Sequence, residues 1–142
     1  MLTLAIIKPD AIEAGQAGKI LAHLEGQGFK IRAAQLVRLT TAQAEAFYAV
    51  HRERPFFRPL VAFMTSGPAL ALALAREDAV AHLRQVIGAT DPAEAEAGTV
   101  RRLYAQSKER NAIHASDSAE TAAREVAFFF PELQPEKHGG PS

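Results

Sequence analysis

Four short apolar runs, LTLAII (2–7), FKIRAAQLVRL (29–39), ALALALA (69–75) and NAIHA (111–115), are separated by stretches with helical periodicity. A short apolar run bounded by turn residues fits a strand covered on both faces. The first strand, 2–8, closes at Lys8-Pro9, where Pro9 has no N–H to extend a ladder. Ile20, Leu21 and Leu24 then share a helix face, with Gly28 placed as the C-cap. Thr41 opens a helix over 41–51, with Glu45 one turn on, and Pro55 enters another over 55–64. After the SGP turn at 66–68 and the third strand, EDAVAHLRQVIG forms a helix that ends at Gly88. ATDPAEAEAG, 89–98, reads as a loop and TVRRLYA as a short helix. Asp117 and Glu120, three residues apart, resemble a capping box opening the last helix, 118–130. Without the extra helices, this order is the split βαβ pattern. The expected fold is α/β (α+β): a ferredoxin-like βαββαβ antiparallel four-stranded sheet with added helices.

At 142 residues the chain is expected to form one domain, 1–142, with a Pro- and Gly-rich tail, 131–142, that wraps a surface or stays loose. Sixteen Lys plus Arg balance sixteen Asp plus Glu, which argues against a broad electrostatic grip on nucleic acid or membrane. A small arginine cluster around a phosphate is still permitted. The absence of cysteine rules out disulfides, thiol catalysis and Cys-ligated metals, and fits a cytoplasmic protein. The apolar runs are too short to cross a bilayer, and no targeting segment is evident.

Local features leave His114 open. No second histidine lies three or four residues away, which weakens metal binding, and most histidines at strand ends are structural or solvated. Against this, Glu125 lies two turns into the following helix and is placed to orient the ring; an imidazole held by a carboxylate is a good nucleophile. Taken alone, these features favour a structural ring. His23, His51, His82 and His138 carry less. Lys8 at the end of a buried strand is an unusual place for a charge unless it faces a site. Arg84, Thr90, Arg101 and Asn111 would join it as an anion clamp if they converge in space. EAGQAGKI lacks the spacing and the Ser or Thr of a phosphate loop. Of Phe56 and Phe57, at least one ring beside Arg54-Pro55 is placed to face the surface.

In order along residues 3 to 130, IIKPDAI, FYAVHRERPFF, FMTSGP, GATDP, GTVRRLY and RNAIHASDS resemble the nucleoside diphosphate kinase family. The resemblance implies ping-pong transfer of the γ-phosphate of a nucleoside triphosphate to a nucleoside diphosphate, through a phosphorylated His114. It further implies that Lys8 and Asn111 bind sugar hydroxyls and nearby phosphates. Arg84, Thr90 and Arg101 then form the phosphate clamp. Phe56 stacks on the base beside Leu60, and Tyr48, Ser116 and Glu125 support the histidine. Mg²⁺ arrives on the nucleotide phosphates, with no protein-only metal site. Tetramers or hexamers of identical subunits are the implied assembly.

The chain departs from the family at Ala115 and Arg76, where glycine is usual, at Asp91, where asparagine is usual, and at Lys108, near the base. Two other readings share the fold: a binding module without activity, and a donor of histidine phosphate to other proteins. Neutral charge and the retained His114, Lys8, Arg84, Arg101 and Asn111 weigh against the first. Comparing transfer to GDP with transfer to proteins separates the second.

Overall fold

The computed structural model describes residues 1–133. Four strands, β1 (Leu2–Ile7), β2 (Lys30–Val37), β3 (Ala69–Ala75) and β4 (Ile113–Ala115), form one sheet in the order β2-β3-β1-β4. All three pairings are antiparallel, the expected ferredoxin-like arrangement. The helices are α1 (Pro9–Glu13), α2 (Ala17–Gly26), α3 (Thr41–Phe47), α4 (Phe57–Met64), α5 (Ala79–Ile87), α6 (Val100–Tyr104) and α7 (Ala119–Phe129). Short 3₁₀ turns cover Ala49–His51 and Pro92–Glu94.

The sheet carries a hydrophobic layer on each face, which is why β1 and β3 are apolar without interruption. Ala5, Ile7, Leu72 and Leu74 pack with Ile20 and Leu24 of α2 and Leu83 and Ile87 of α5. Leu4, Ile6, Ala71 and Ala73 pack on the other face with Phe47, Tyr48, Met64 and Val126. Side chains alternate across a strand, so β1 feeds both layers. Gly28 takes φ 92° just past α2, where a left-handed conformation ends a helix.

Several boundaries differ from the sequence expectation. Pro9 ends β1 and also occupies the first position of α1, a helix the sequence reading did not contain; its fixed φ suits that position. Thr40, not Thr41, caps α3: its side chain accepts from the Gln43 N–H while the Gln43 side chain accepts from the Thr40 N–H. Ser118, rather than Asp117, caps α7 by accepting from the Thr121 N–H. The helix expected from Pro55 starts at Phe57, and β4 is limited to three residues because a tight turn occupies 111–113. Of the tail, 131–142, all but the first three residues lie outside the described residues.

Candidate functional site

His114 sits in the middle of β4, paired with Ile6 of β1. Directly opposed residues project to the same face, which sends the ring toward the α3 and α7 layer. There it meets Phe47 edge-on at 5.3 Å and Tyr48 edge-on at 5.9 Å between ring centroids. Its Nε2 lies 2.8 Å from Glu125 Oε1 on α7. Ser116 Oγ donates to the same carboxylate oxygen at 2.8 Å. Glu125 and Ser116 are buried, while the imidazole keeps 18% of its side-chain surface exposed. A carboxylate accepts, so Nε2 carries the proton and the lone pair is left on Nδ1, which has no hydrogen bond among the described residues.

Beside this ring lies a buried cation cluster. The Lys8 ammonium, at the end of β1, donates to Asn111 Oδ1 at 2.9 Å. Its pKa is pulled from the usual 10.5 to about 8, first by burial and then by the Arg101 guanidinium, with Asp10 acting in the opposite direction. Arg101 on α6 donates to three carbonyls on two segments: Gly88 at 3.0 Å, Ile113 at 2.7 Å and Asn111 at 3.4 Å. Burial, then Arg84, lowers its pKa to about 10, so it remains charged near neutrality. Gly88 takes φ 90°, and a Cβ there would strike the Thr99 side chain. That close approach, with Thr99 capping α6, seats the helix that carries Arg101.

Arg84 on α5, Thr90 and Arg101 line one open groove of about 580 Å³, with Gly88 and Thr99 in its wall. Asn111 Nδ2 donates to the Thr90 carbonyl at 3.4 Å, tying the groove to the Lys8 cluster. Thus Lys8, Thr90, Arg101 and Asn111 are joined by direct contacts, and Arg84 joins them through the groove wall. Phe56 stands apart at the start of α4, 43% exposed, with Arg54 5.3 Å and His51 5.2 Å from its ring centre. Leu60 is one turn further on and packs against the core of that face. Phe57 is buried, so Phe56 is the surface-facing ring of the pair.

The Tyr48 hydroxyl is buried and has no hydrogen-bond partner among the described residues. Burial, and then the Glu125 charge, push its pKa up, which keeps it a neutral donor. No group of three or more His, Asp or Glu among the described residues could hold a metal ion. No helix among them is long and apolar enough to cross a membrane. The sequence reading missed three contributors: Phe47, which packs on the His114 ring, Asp10, whose carboxylate is buried, and the Gly88–Thr99 contact. IIKPDAI contains Asp10 and FYAVHRERPFF opens on Phe47, but neither motif assigned its residue a role.

A family model for nucleoside diphosphate kinase matches residues 2–134. A nucleoside diphosphate kinase of Sorangium cellulosum is 58% identical over 128 residues, spanning 90% of this chain and 89% of that one. One from Halorhodospira halophila is 56% identical, spanning 90% of this chain and 91% of the relative. Among solved structures, the Aquifex aeolicus nucleoside diphosphate kinase superposes with a TM-score of 0.89 at 48% identity, covering 91% of this chain and 94% of that one. A Halobacterium salinarum nucleoside diphosphate kinase in complex with CDP gives a TM-score of 0.88 at 38% identity, covering 92% and 87%.

Fold and comparisons together define a transferase, a kinase that acts on nucleotides. The chain belongs to the nucleoside diphosphate kinase family, whose members work through a phosphohistidine intermediate. The resemblance read from its motifs is borne out.

Proposed function

We propose that His114 is the residue phosphorylated in this chain and that Nδ1 is the attacking atom. The observation that carries this is the Nε2–Glu125 contact of 2.8 Å, which fixes the tautomer and leaves a lone pair on the other nitrogen. Nδ1 attacks the γ-phosphorus of the triphosphate, the bond to the bridging oxygen breaks, and the diphosphate leaves with that electron pair. The second half reverses these bonds with a different diphosphate in the same pocket. Glu125 stabilises the positive charge that develops on the ring, and Ser116 holds Glu125 in place.

Phosphoryl transfer depends chiefly on positioning and charge stabilisation. Arg84 and Arg101 take the phosphate oxygens, with Thr90 beside them in the groove. Lys8 and Asn111 bind the sugar hydroxyls and the adjoining phosphates. The unpartnered Tyr48 hydroxyl donates to the transferring group. The donor set is cationic, so it fits a divalent ion carried on the nucleotide's own phosphates rather than a protein cage. Mg²⁺ carried there would supply charge neutralisation to the phosphates that Arg84 and Arg101 hold. A cytoplasmic setting fits an enzyme of this substrate class and a chain without cysteine.

Phe56 is the stacking face for the base, with Leu60 adding apolar wall. Stacking contributes roughly 1–3 kcal/mol per base and is tolerant of base identity. Transfer from ATP to GDP, CDP, UDP and ADP is therefore expected with kcat/KM values within about 100-fold of one another. A site that hydrogen-bonds one base specifically rejects others by about 10⁴-fold; a spread of that size, or no transfer at all, would contradict the proposal.

The active form is a homo-oligomer, a tetramer or hexamer. Support comes from the open edge of β2, where Leu36 is 63% exposed, next to a groove of about 390 Å³ shared with Phe128 and Phe129 of α7. Light scattering at micromolar concentration should give a multiple of the monomer mass; the monomer mass alone would refute this. The loop at 89–98 and the tail from Pro131 are further candidate contacts.

A further inference from the structure

We propose that Asp10 is a positioning residue for phosphoryl transfer: its buried carboxylate holds the peptide N–H of Ala112 and so maintains the strained turn that places Asn111 and His114. This rests on the reading of His114 as the phosphorylated residue.

The turn is a γ-turn. The Ile113 N–H donates to the Asn111 carbonyl at 2.9 Å, and Ala112 between them has φ 77°. The positive-φ γ-turn is rare and strained, and alanine carries a Cβ that disfavours it. Two bonds clamp Ala112 from opposite sides. Asp10 Oδ2 accepts from its N–H at 3.1 Å, and the Lys8 N–H donates to its carbonyl at 2.9 Å. Both partners come from Lys8-Pro9-Asp10, the stretch that runs from the end of β1 into the first turn of α1. A buried N–H without an acceptor is costly, and a charged acceptor makes the stronger bond.

The consequences reach the whole site. This turn sends the Asn111 side chain to Lys8 and sets His114, three residues on, against Phe47 and Glu125. It also presents the Asn111 and Ile113 carbonyls to Arg101. Relaxing Ala112 toward negative φ would therefore move two cation contacts and the nucleophile together. Packing alone does not call for this carboxylate. Asp10 is 3% exposed, and its Oδ1 is buried with no hydrogen-bond partner among the described residues. Its place in the first turn of α1 favours the helix dipole, but a five-residue helix does not require a buried acid. The same charge opposes the burial and the Arg101 guanidinium that together lower the Lys8 pKa.

The test is a cycle of Asp10→Ala, Ala112→Gly and the double variant, read as the single-turnover rate of acid-labile label transfer from γ-labelled ATP. Asp10→Ala should lower that rate by about 10-fold or more, the size of a lost charge-assisted hydrogen bond. In the Ala112→Gly background the same change should cost several-fold less, because glycine reaches positive φ without a Cβ penalty. Asp10→Asn keeps an acceptor and should lose less rate than Asp10→Ala, while the alkaline limb of its kcat/KM profile moves to lower pH. A packing role would not produce the coupling with Ala112. Equal losses in both backgrounds, or a loss of stability with the rate intact, would overturn the proposal. If Asp10→Ala fails to fold, Asp10→Asn measured in the wild-type and Ala112→Gly backgrounds decides: equal rate losses in the two overturn it. Wild-type protein that takes no label contradicts the His114 reading itself, whereas labelled wild type with additive losses contradicts only the role of Asp10.

Discussion

His114→Ala is expected to abolish both half-reactions, lowering kcat by at least about 10⁴-fold, because removing a nucleophile removes the route rather than one contribution to it. The fold should survive. The ring packs edge-on against Phe47 and Tyr48 and is partly exposed, so truncation leaves a shallow gap and not a buried void. Glu125 retains the Ser116 hydroxyl as a partner. A stability loss of about 1–3 kcal/mol is the expected range for such a change. Glu125→Ala should only slow both halves, since it removes the group that orients the ring and not the attacking nitrogen. Circular dichroism and thermal unfolding alongside the kinetics separate lost chemistry from lost structure. Near-wild-type turnover by a folded His114→Ala protein would remove the histidine from the mechanism.

The next largest effect is expected at Lys8. Lys8→Met should lower kcat/KM by about 10- to 100-fold, the range for losing a hydrogen bond to a charged group. In the wild-type enzyme kcat/KM should fall on the alkaline side with a free-enzyme pKa of about 8, as the ammonium discharges. Saturating nucleotide should move that limb upward, because bound phosphate favours the charged form. Stability should run the other way. The folded state releases the Lys8 proton at about 8 and the unfolded chain at the usual 10.5, so between these values the unfolded state binds more protons. Lys8 is therefore a cost to the fold, present in full below about pH 8 and relieved as pH rises toward 10.5. Lys8→Met should lack that rise, which urea denaturation at pH 7.5 and pH 9.5 would show. An alkaline limb unchanged in Lys8→Met would mean that another group titrates there.

The sheet was legible because its two inner strands are covered on both faces, which forces LTLAII and ALALALA to be apolar throughout. The pattern of β2 was weaker for a physical reason: it is an edge strand, and its register with β3 shifts between Ile31 and Ala33. Caps were misplaced by one residue where candidates adjoin, as at Thr40-Thr41 and Asp117-Ser118; either side chain has the chemistry, and the backbone conformation chooses. Helix α1 escaped notice because five residues carry no full period and Pro9 signals a stop as readily as a start. Motif resemblance named candidate site residues, but no local pattern could show that Lys8 meets Asn111 across 103 positions or that Asp10 meets Ala112 across 102. Those contacts exist only once β1 and β4 lie side by side.

The central claim, that His114 carries the phosphate between donor and acceptor, is tested most directly by incubating the wild-type protein with γ-labelled ATP and no acceptor, then adding GDP. The protein should take up label that is lost in acid and retained in alkali, since a phosphoramidate hydrolyses when its nitrogen is protonated. GDP should then strip the label and appear as labelled GTP, as two separate half-reactions require. Ser116 shares Glu125 with the histidine and is a hydroxyl competitor for the label. Label that survives acid, or that stays on a His114→Ala chain and still passes to GDP, would place the phosphate elsewhere and contradict the account.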